Sequence, residues 1–266
     1  MKKFNIKRLY RKLLWFPSCW IKRKNIIIKT MQGRYKIRFE RNDSISYNLF
    51  VNNNYELEMM KKIINFLVDD EYIKKKKVFF DIGANMGTTT ISAQKIFGFE
   101  KCISFEPDKG NLSLLIDNCK NNGVSLYLVP YAMGSGTKKK MVKNKNPNDT
   151  HFISIGPIET KRLDEYIKSL NQYRSVVWID AQGSEFDILK GASEFIKKKA
   201  IFILEFHQRV IERANVDLVY YVWFINQYWK YVWIYDNGKM YKRKPGVLLA
   251  LSKPITIILC DYKEEI

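Results

Sequence analysis

A glycine-containing segment after an apolar run is the first place where the sequence suggests chemistry. Residues 78–87 read VFFDIGANMG, so a buried strand is predicted to end at Asp81. The turn that follows contains Gly83, Asn85 and Gly87. Glycines in such a turn let a ligand approach the backbone, and the amides of the next helix start can bind it. The spacing differs from the G-x-G-x-x-G fingerprint of dinucleotide sites, which disfavours NAD.

A second acid follows the next apolar run. Residues 103–108 read ISFEPD and place Glu106 at the predicted strand end, 25 residues after Asp81. An acid at this place in a strand–helix–strand unit accepts hydrogen bonds from the ribose hydroxyls of a cofactor. The alternative is that both acids only cap turns. Acids at two consecutive strand ends, each in a turn with glycine or proline, favour a ligand site.

Later apolar runs end in residues that could act on an acceptor. Asp180 ends one run, and Glu205 and His207 end the next, two residues apart and on one side if the chain stays extended. Histidine has an ordinary pKa of about 6.5, which suits a base at neutral pH. We predict these residues as catalytic candidates, with a structural role for the histidine as the alternative. A divalent metal bound by all of them is a further alternative, and our prediction is a site without metal.

Alternating strands and helices must position these residues. They are connected by short turns, which indicates crossover connections and a mainly parallel sheet. The predicted strands are 78–81, 101–105, 125–129, 176–180 and 201–206, and the predicted helices are 88–97, 111–121 and 185–196. Beyond residue 215 we expect a helix to about Tyr228 and two or three strands to Leu259. The polar segment 137–149 predicts a hairpin tip or mobile loop, and His151 follows it, where a substrate loop would fold over the site.

An extension precedes this sheet. Residues 26–39 predict a β-hairpin, and residues 55–67 carry apolar side chains at helical spacing. The opening 24 residues contain nine Lys or Arg and no acid, together with Trp and Phe. This leader is either a peripheral anchor on an anionic membrane or a solvated helix that leads into the fold. We divide the chain into a leader (1–24), a hairpin and helix that pack on the core (25–77) and a main domain (78–266).

Composition and charge narrow the function classes. The 266 residues are 46% apolar and 14% aromatic, which is enough for a buried core and excludes a disordered chain. The net charge of +19 suggests a polyanion partner. Residues 1–77, however, hold 20 basic and 7 acidic residues, while residues 78–207 hold 17 and 14. The excess lies mainly outside the predicted sheet, so nucleic acid is not the partner we predict.

Cysteine usage and the longest apolar runs bear on the compartment. The four cysteines contain no C-x-x-C pair, which indicates neither a zinc site nor a disulfide framework. Residues 13–21 are too short and too interrupted for a signal peptide, and no run has the roughly 20 apolar residues of a membrane span. We predict a cytoplasmic protein with reduced thiols.

Motifs in a consistent order over about residues 26–210 resemble those of the FkbM-type S-adenosylmethionine-dependent methyltransferases. They are VFFDIGANMGTTT from Val78, ISFEPDKGNLSLLIDN from Ile103, VPYAMGS from Val129, TKRLDEYI from Thr160, WIDAQGSEFDILKGA from Trp178 and FILEFH from Phe202. The resemblance implies an α/β, class I methyltransferase (Rossmann-like) fold with a seven-stranded, mainly parallel sheet and helices on both faces. The family's D-V-E-G-x-E pattern has Gln182 in place of a carboxylate here, which removes one potential acid, base or metal ligand.

The resemblance also assigns a cofactor site for S-adenosyl-L-methionine. Its first turn would consist of Asp81, Gly83, Asn85 and Gly87. It further implies that Asp81 lies near the methionine amine, that Glu106 holds the ribose, and that Ala132 borders the adenine.

These observations predict an S-adenosylmethionine-dependent O-methyltransferase that acts on a sugar hydroxyl of a surface glycan or its nucleotide- or lipid-linked precursor. The alternatives are an RNA methyltransferase, a non-catalytic membrane-associated protein with the same fold and, least favoured, an NAD-dependent dehydrogenase. Base-modifying enzymes of this fold often carry an aromatic clamp after the fourth strand, and residues 179–183, IDAQG, contain no aromatic residue. The predicted partners are a saccharide acceptor and, through residues 1–24, an anionic membrane.

Overall fold

A large central sheet organises the computed structural model, which describes residues 6–21, 25–75, 78–143, 150–169 and 174–264. The strands are β1 (Ile26–Lys29), β2 (Arg34–Ile37), β3 (Val78–Ile82), β4 (Lys101–Phe105), β5 (Tyr127–Val129), β6 (Lys138–Lys143), β7 (Thr150–Glu159), β8 (Val176–Ile179), β9 (Ile201–Phe206), β10 (Trp229–Asp236), β11 (Lys239–Arg243) and β12 (Ile255–Tyr262). The helices are α1 (Ile6–Trp20), α2 (Ser44–Asn52), α3 (Leu57–Asp69), α4 (Thr88–Lys95), α5 (Lys109–Asn122), α6 (Glu185–Lys190), α7 (Ser193–Lys197), α8 (Gln208–Arg213) and α9 (Leu218–Tyr228). Short 3₁₀ helices span Leu163–Ser169 and Pro245–Ala250.

In the described part of the chain the central sheet has eight strands, in the order β11-β10-β12-β9-β8-β3-β4-β5. The five neighbouring strands β9, β8, β3, β4 and β5 are parallel to one another. Strands β12, β10 and β11 continue the sheet beyond β9 in antiparallel pairs. The predicted fold class is confirmed, but the prediction of seven strands was wrong. Asn237 and Gly238 both have positive φ, which is the backbone of a tight hairpin turn. This turn folds β11 back onto β10 as an additional edge strand.

Both faces of the sheet are covered by helices, as predicted. Along β3, Phe80 packs with side chains of α6, α7 and α9 on one face, whereas Phe79 packs with those of α3 and α4 on the other. Successive side chains of a strand point to opposite faces, so a strand buried on both faces is apolar at nearly every position. The run VFFDI therefore forms the centre of the sheet, and its one acid, Asp81, is buried within it.

The extension before β3 is built into the body of the protein. Trp15 of α1 is fully buried and packs in a cluster with residues of the β1–β2 hairpin, α2, α4 and α5. The open edge of β2 is satisfied by asparagine side chains of α5. Asn118 accepts from the Lys36 amide at 2.6 Å, and Asn122 accepts from the Arg34 amide at 2.8 Å. These bonds give the hairpin a fixed position relative to the first two strand–helix units.

Some predicted elements have different bounds. The helix predicted at 185–196 divides into α6 and α7 at Gly191, whose amide donates to the carbonyls of Asp187 and Ile188 and ends the first helix. Helices α2 and α8 were not predicted, because each is short and only part of each is buried. The polar segment after residue 137 forms the β6–β7 hairpin, in which His151 pairs with Val142. Its tip, residues 144–149, lies outside the described residues.

None of the described helices is long and apolar enough to cross a membrane.

Candidate active site

A cleft opens where β3, β4 and β8 end, at the carboxyl edge of the sheet. It holds about 540 Å³ of empty space. Ligands of open α/β sheets bind outside the carboxyl ends of the strands, so the cleft lies where a cofactor is expected. The predicted site residues that line it are Gly83, Asn85, Glu106, Ala132 and Asp180.

Gly83 brings the turn after β3 against the backbone of Asp180. A Cβ atom on Gly83 would lie 2.0 Å from the Asp180 carbonyl oxygen, and the φ of +87° is one that side chains rarely adopt. The Gly83 amide donates to the Phe105 carbonyl at 2.9 Å, and the Asp180 amide donates to the Ile82 carbonyl at 2.9 Å. These contacts fix the ends of the three strands side by side and form the floor of the cleft.

The Glu106 carboxylate faces the cleft and is held by neighbouring donors. One oxygen accepts from the Asn85 amide at 2.9 Å, and the other accepts from the Asp108 amide at 2.8 Å and the Asn111 side chain at 3.5 Å. Burial raises the pKa of Glu106 to about 7, and the amide bonds oppose that rise. An oriented carboxylate of this kind can accept hydrogen bonds from a pair of hydroxyls.

The extension supports Glu106 indirectly. The Arg38 guanidinium donates to the Asn111 side-chain oxygen at 3.0 Å and forms an ion pair with the buried Asp43 at 2.9 Å. Asn111 in turn lines the cleft next to Glu106. An ion pair between the residue after β2 and the N-cap of α2 therefore holds the Asn111 side chain that contacts Glu106.

Asp81 and Gly87 are not among the residues that line the cleft. The buried Asp81 carboxylate accepts from the Thr90 hydroxyl, which also pairs with the Ser104 hydroxyl at 2.7 Å. Burial raises the pKa of Asp81 to about 7. Gly87 precedes α4 and faces Leu115 of α5. Both residues thus position the start of α4, and the contact of Asp81 with a methionine amine stays a prediction.

The loop after β8 carries Asp180 and is held in shape by its own side chains. The Gln182 amide donates to Asp180 at 2.9 Å. The Glu185 carboxylate accepts from the amides of Ala181 and Gly183, at 3.1 and 2.9 Å. Burial raises the pKa of both Asp180 and Glu185, the latter to about 7. Glu185 therefore closes the loop at the helix start, and Asp180 is the carboxylate left facing the cavities.

A second cavity, here called the acidic cavity, adjoins the cleft at Asp180 and Gln182. Its empty space is about 960 Å³, and it is lined by the carboxylates of Glu56, Asp180 and Glu205. Loss of hydration raises the pKa of Glu56 to about 8 and that of Glu205 to about 7, and the charge of Asp180 adds to both shifts. Glu56 and Glu205 thus exchange their protons near neutral pH.

His207 lies in a neighbouring cavity, which also reaches Asp180 and Gln182 and includes Tyr55 and Arg213. Glu205 pairs with Thr256 within the sheet, whereas His207 comes after the strand and precedes α8. The two residues therefore flank Asp180 from adjoining cavities. Burial, together with the charges of Arg209 and Arg213, lowers the pKa of His207, so its imidazole is neutral at pH 7.

Tyr55 and Glu56 are site residues that the sequence did not indicate. The turn that carries them is tied to the hairpin by Gln32, which donates to the Tyr55 carbonyl at 2.8 Å and accepts from the Tyr55 amide at 2.6 Å. Glu56 has a left-handed φ of 53° directly before α3. In the sequence, Glu56 looks like an ordinary acid at the start of a helix. It reaches the cavity only because the extension packs against the end of the sheet.

The catalytic candidates do not assemble a metal site. Among the described residues, no group of three or more His, Cys, Asp or Glu side chains could hold a metal ion.

The order of the sheet, the helices on both faces and the cleft at the carboxyl edge define a class I methyltransferase fold. A sequence model described as the methyltransferase FkbM domain matches residues 81–231, more than half of the chain. The chain belongs to this FkbM methyltransferase family, which confirms the predicted family. None of the curated proteins matches the chain at a significant level.

Several solved methyltransferases resemble the chain at low identity. A methyltransferase FkbM from Methylobacillus flagellatus KT is 15% identical, with 94% of this chain and 59% of that chain covered and a TM-score of 0.45. TrmK from M. capricolum, solved with S-adenosyl-homocysteine, is 14% identical, with coverages of 77% and 70% and a TM-score of 0.40. The ribosomal protein L11 methylase from Lactobacillus delbrueckii subsp. bulgaricus is 13% identical, with coverages of 78% and 78% and a TM-score of 0.40. The chain thus spans less than two thirds of the length of the Methylobacillus protein.

S-adenosylmethionine is the cofactor of this family, and the cleft fits it in three respects. Glu106 presents a carboxylate that suits ribose hydroxyls. Phe105, Ala132 and Met133 form an apolar border that suits an adenine. Gly83 lines the cleft without a side chain. When bound, the cofactor supplies an electrophilic methyl group, and Asp180 lies where the cleft meets the acidic cavity.

Proposed function

We propose that the protein is an S-adenosylmethionine-dependent O-methyltransferase that methylates a sugar hydroxyl of a surface glycan or of its nucleotide- or lipid-linked precursor. The observation that carries this proposal is the acidic cavity, in which Glu56, Asp180 and Glu205 meet next to the cofactor cleft. Carboxylates accept hydrogen bonds from neighbouring hydroxyls of a sugar, which is the common way for a protein to orient a polyol.

Methylation of a hydroxyl requires that its proton be removed as the oxygen is alkylated, and the chain offers two bases for this step. The pKa of Glu205 is raised to about 7 by loss of hydration and by Asp180, so it is a stronger base than an ordinary carboxylate. The lowered pKa of His207 makes it a weaker base than an ordinary imidazole. We therefore assign proton removal to Glu205 and orientation of the acceptor to Asp180 and Glu56.

The acidic cavity also supports a neutral or weakly charged acceptor over RNA. A phosphodiester chain that reached the cofactor cleft through this cavity would meet acids and no Lys or Arg among the described lining residues, and the ionised form of each acid repels it. The positive charge that suggested nucleic acid lies mainly in residues 1–77, where 20 basic side chains outnumber 7 acidic ones.

The proposal is tested in two stages. Calorimetry with S-adenosylmethionine first measures cofactor binding, which should be present in the unmodified protein and in Glu205→Gln. Methyl transfer to a panel of mono- and oligosaccharides, followed by mass spectrometry, then measures activity. We expect a gain of one methyl group that Glu205→Gln abolishes. Cofactor binding without transfer to any saccharide, combined with transfer to RNA, would overturn the sugar assignment and retain the cofactor assignment.

A further inference from the structure

Helix α1 turns its apolar side chains away from the protein. The exposed apolar and aromatic residues of this helix, each between 45% and 82% accessible, are Ile6, Leu9, Tyr10, Leu13, Phe16 and Trp20. A helix that only leads into a fold buries its apolar stripe and exposes its polar face. In α1 the larger apolar stripe is on the outside.

The other face of α1 fixes the helix to the body. Trp15 is fully buried, and its ring lies 5.3 Å from Phe39, 5.5 Å from Tyr47 and 5.9 Å from Phe50. Arg8 donates to the Asn52 side chain at 2.8 Å. The exposed stripe is therefore presented on a rigid support, and its orientation is set by α2 and the hairpin.

The arrangement of charges around the stripe identifies its partner. Residues 6, 9, 13, 16 and 20 recur at intervals of three and four, so they form one row along the helix. With about 100° per residue, the exposed Lys12 lies at one border of this row, about 40° from Phe16. Long basic side chains at the borders of an apolar face reach the phosphates of a lipid surface in which that face is immersed.

We propose that α1 binds the protein to the surface of an anionic lipid bilayer, with the helix parallel to the membrane and the row from Ile6 to Trp20 in the interfacial region. Residues 1–24 contain nine Lys or Arg and no acid, which matches an anionic surface and opposes close contact between two copies of this segment. Membrane binding by α1 requires neither the acceptor nor the methyl transfer reaction.

Vesicle sedimentation of the full chain tests the charge requirement. We expect binding to vesicles of mixed phosphatidylcholine and phosphatidylglycerol, and weak binding to phosphatidylcholine alone. Salt at about 0.5 M should release the protein, because it screens the attraction between the basic side chains and the lipid phosphates. A basic residue near an anionic surface contributes roughly fivefold in affinity at low salt. The variant Lys12→Gln should therefore bind anionic vesicles roughly fivefold more weakly.

Substitutions in the exposed row test the apolar requirement. Leu13→Glu is expected to abolish vesicle binding without changing the thermal stability, because this side chain is 66% exposed. Trp223→Ser, which removes a 52% exposed tryptophan from α9, is the matched control and should bind as the unmodified protein does. Deletion of residues 1–24 is unsuitable, since it removes the buried Trp15. The fluorescence of Trp20 should shift to the blue on binding, and Trp20→Phe should lose that shift.

Two results would overturn the proposal. The first is binding that is equal for neutral and anionic vesicles or unchanged in Leu13→Glu. The second is an absence of vesicle binding together with a dimer, measured by light scattering, that Leu13→Glu converts to monomer. The second result would identify the row as an interface between two copies of the chain.

Discussion

The side-chain amide of Gln182 donates a hydrogen bond of 2.9 Å to Asp180, the carboxylate at which the cofactor cleft, the acidic cavity and the His207 cavity meet. The bond opposes the rise that burial causes in the pKa of Asp180. A carboxylate at position 182, as in the D-V-E-G-x-E pattern, would place two negative charges together instead. The amide therefore favours the ionised form of Asp180 close to Glu56 and Glu205.

Gln182→Glu is predicted to destabilise the protein in a pH-dependent manner. At pH 8 the new carboxylate adds charge beside Asp180 and no longer donates to it, and we expect a loss of about 1–2 kcal/mol in the free energy of unfolding. At pH 5 the new carboxyl is partly protonated and can donate, so the loss should be smaller. Denaturant unfolding at both pH values measures the difference. Gln182→Met, which removes the donor without adding charge, should lose the same amount at each pH, and equal losses for both variants would contradict the charge argument.

The parts of the fold that could be predicted from sequence are the strands and helices whose own residues show a clear apolar pattern. The central strands are buried on both faces, so 78–82 and 201–206 are apolar runs that can be recognised without their neighbours. Acids and glycines at the ends of such runs then predict the cleft, as Glu106 and Gly83 illustrate.

The remaining features depend on contacts between distant segments. Asn118 and Asn122 look like ordinary polar positions of a helix, and only the fold shows that they satisfy the edge of β2. Glu56 reaches Asp180 because Gln32 holds the preceding Tyr55, a relation that spans more than a hundred residues and has no local signal. The seven strands implied by the family resemblance were one too few, because β11 is an additional edge strand, and the two or three strands expected after α9 left it undecided.

Gly83→Ala is predicted to lose stability and cofactor binding together. The new Cβ would meet the Asp180 carbonyl oxygen at 2.0 Å, and the backbone φ is +87°. We expect a loss of about 2–4 kcal/mol in the free energy of unfolding and at least tenfold weaker binding of S-adenosylmethionine. Gly98→Ala is the control, since Gly98 has a similar φ of +73° but no atom within 4 Å of its Cβ position. It should lose only about 1 kcal/mol and bind normally. Equal losses would show that the contact with Asp180 has no effect.

Glu106→Gln is predicted to weaken cofactor binding with little change in fold. A hydrogen bond to a charged group contributes about 1.5–3 kcal/mol, so calorimetry should show a dissociation constant for S-adenosylmethionine that rises by a factor of about 10–100. Glu212→Gln on the exposed side of α8 is the matched control and should bind normally. Asn111→Ala should show a smaller effect, because this residue contacts Glu106 at 3.5 Å rather than providing the carboxylate. Normal binding by Glu106→Gln would remove Glu106 from the ribose site.

In the unliganded protein, the contribution of Glu205 to the free energy of unfolding is predicted to fall as pH rises. Glu205 has a pKa of about 7 in the fold, against about 4.3 in an unfolded chain, so the folded state holds the proton more tightly. Its contribution is fully present below the unfolded pKa and is lost as pH rises through about 7. Glu205→Gln has no such proton, and its stability relative to the unmodified protein should improve by about 1–3 kcal/mol between pH 4.5 and pH 8. Unfolding midpoints at several pH values measure this difference, and a constant difference would show that the pKa of Glu205 is not raised.

The pH dependence of methyl transfer is predicted to distinguish the two candidate bases. If Glu205 removes the acceptor proton, the rate at low substrate should rise with pH and reach half of its plateau near 7, the pKa of that carboxyl. Glu205→Gln should lower the plateau by a factor of about 10²–10⁴ and remove the rise with pH, here called the ascending limb. His207→Gln should keep the limb and lose less than about tenfold in rate, because a positioning residue affects orientation rather than proton removal. If His207 were the base, the limb would instead lie below 6.5, since its pKa is lowered by burial and by Arg209, and His207→Gln would be the variant that loses it.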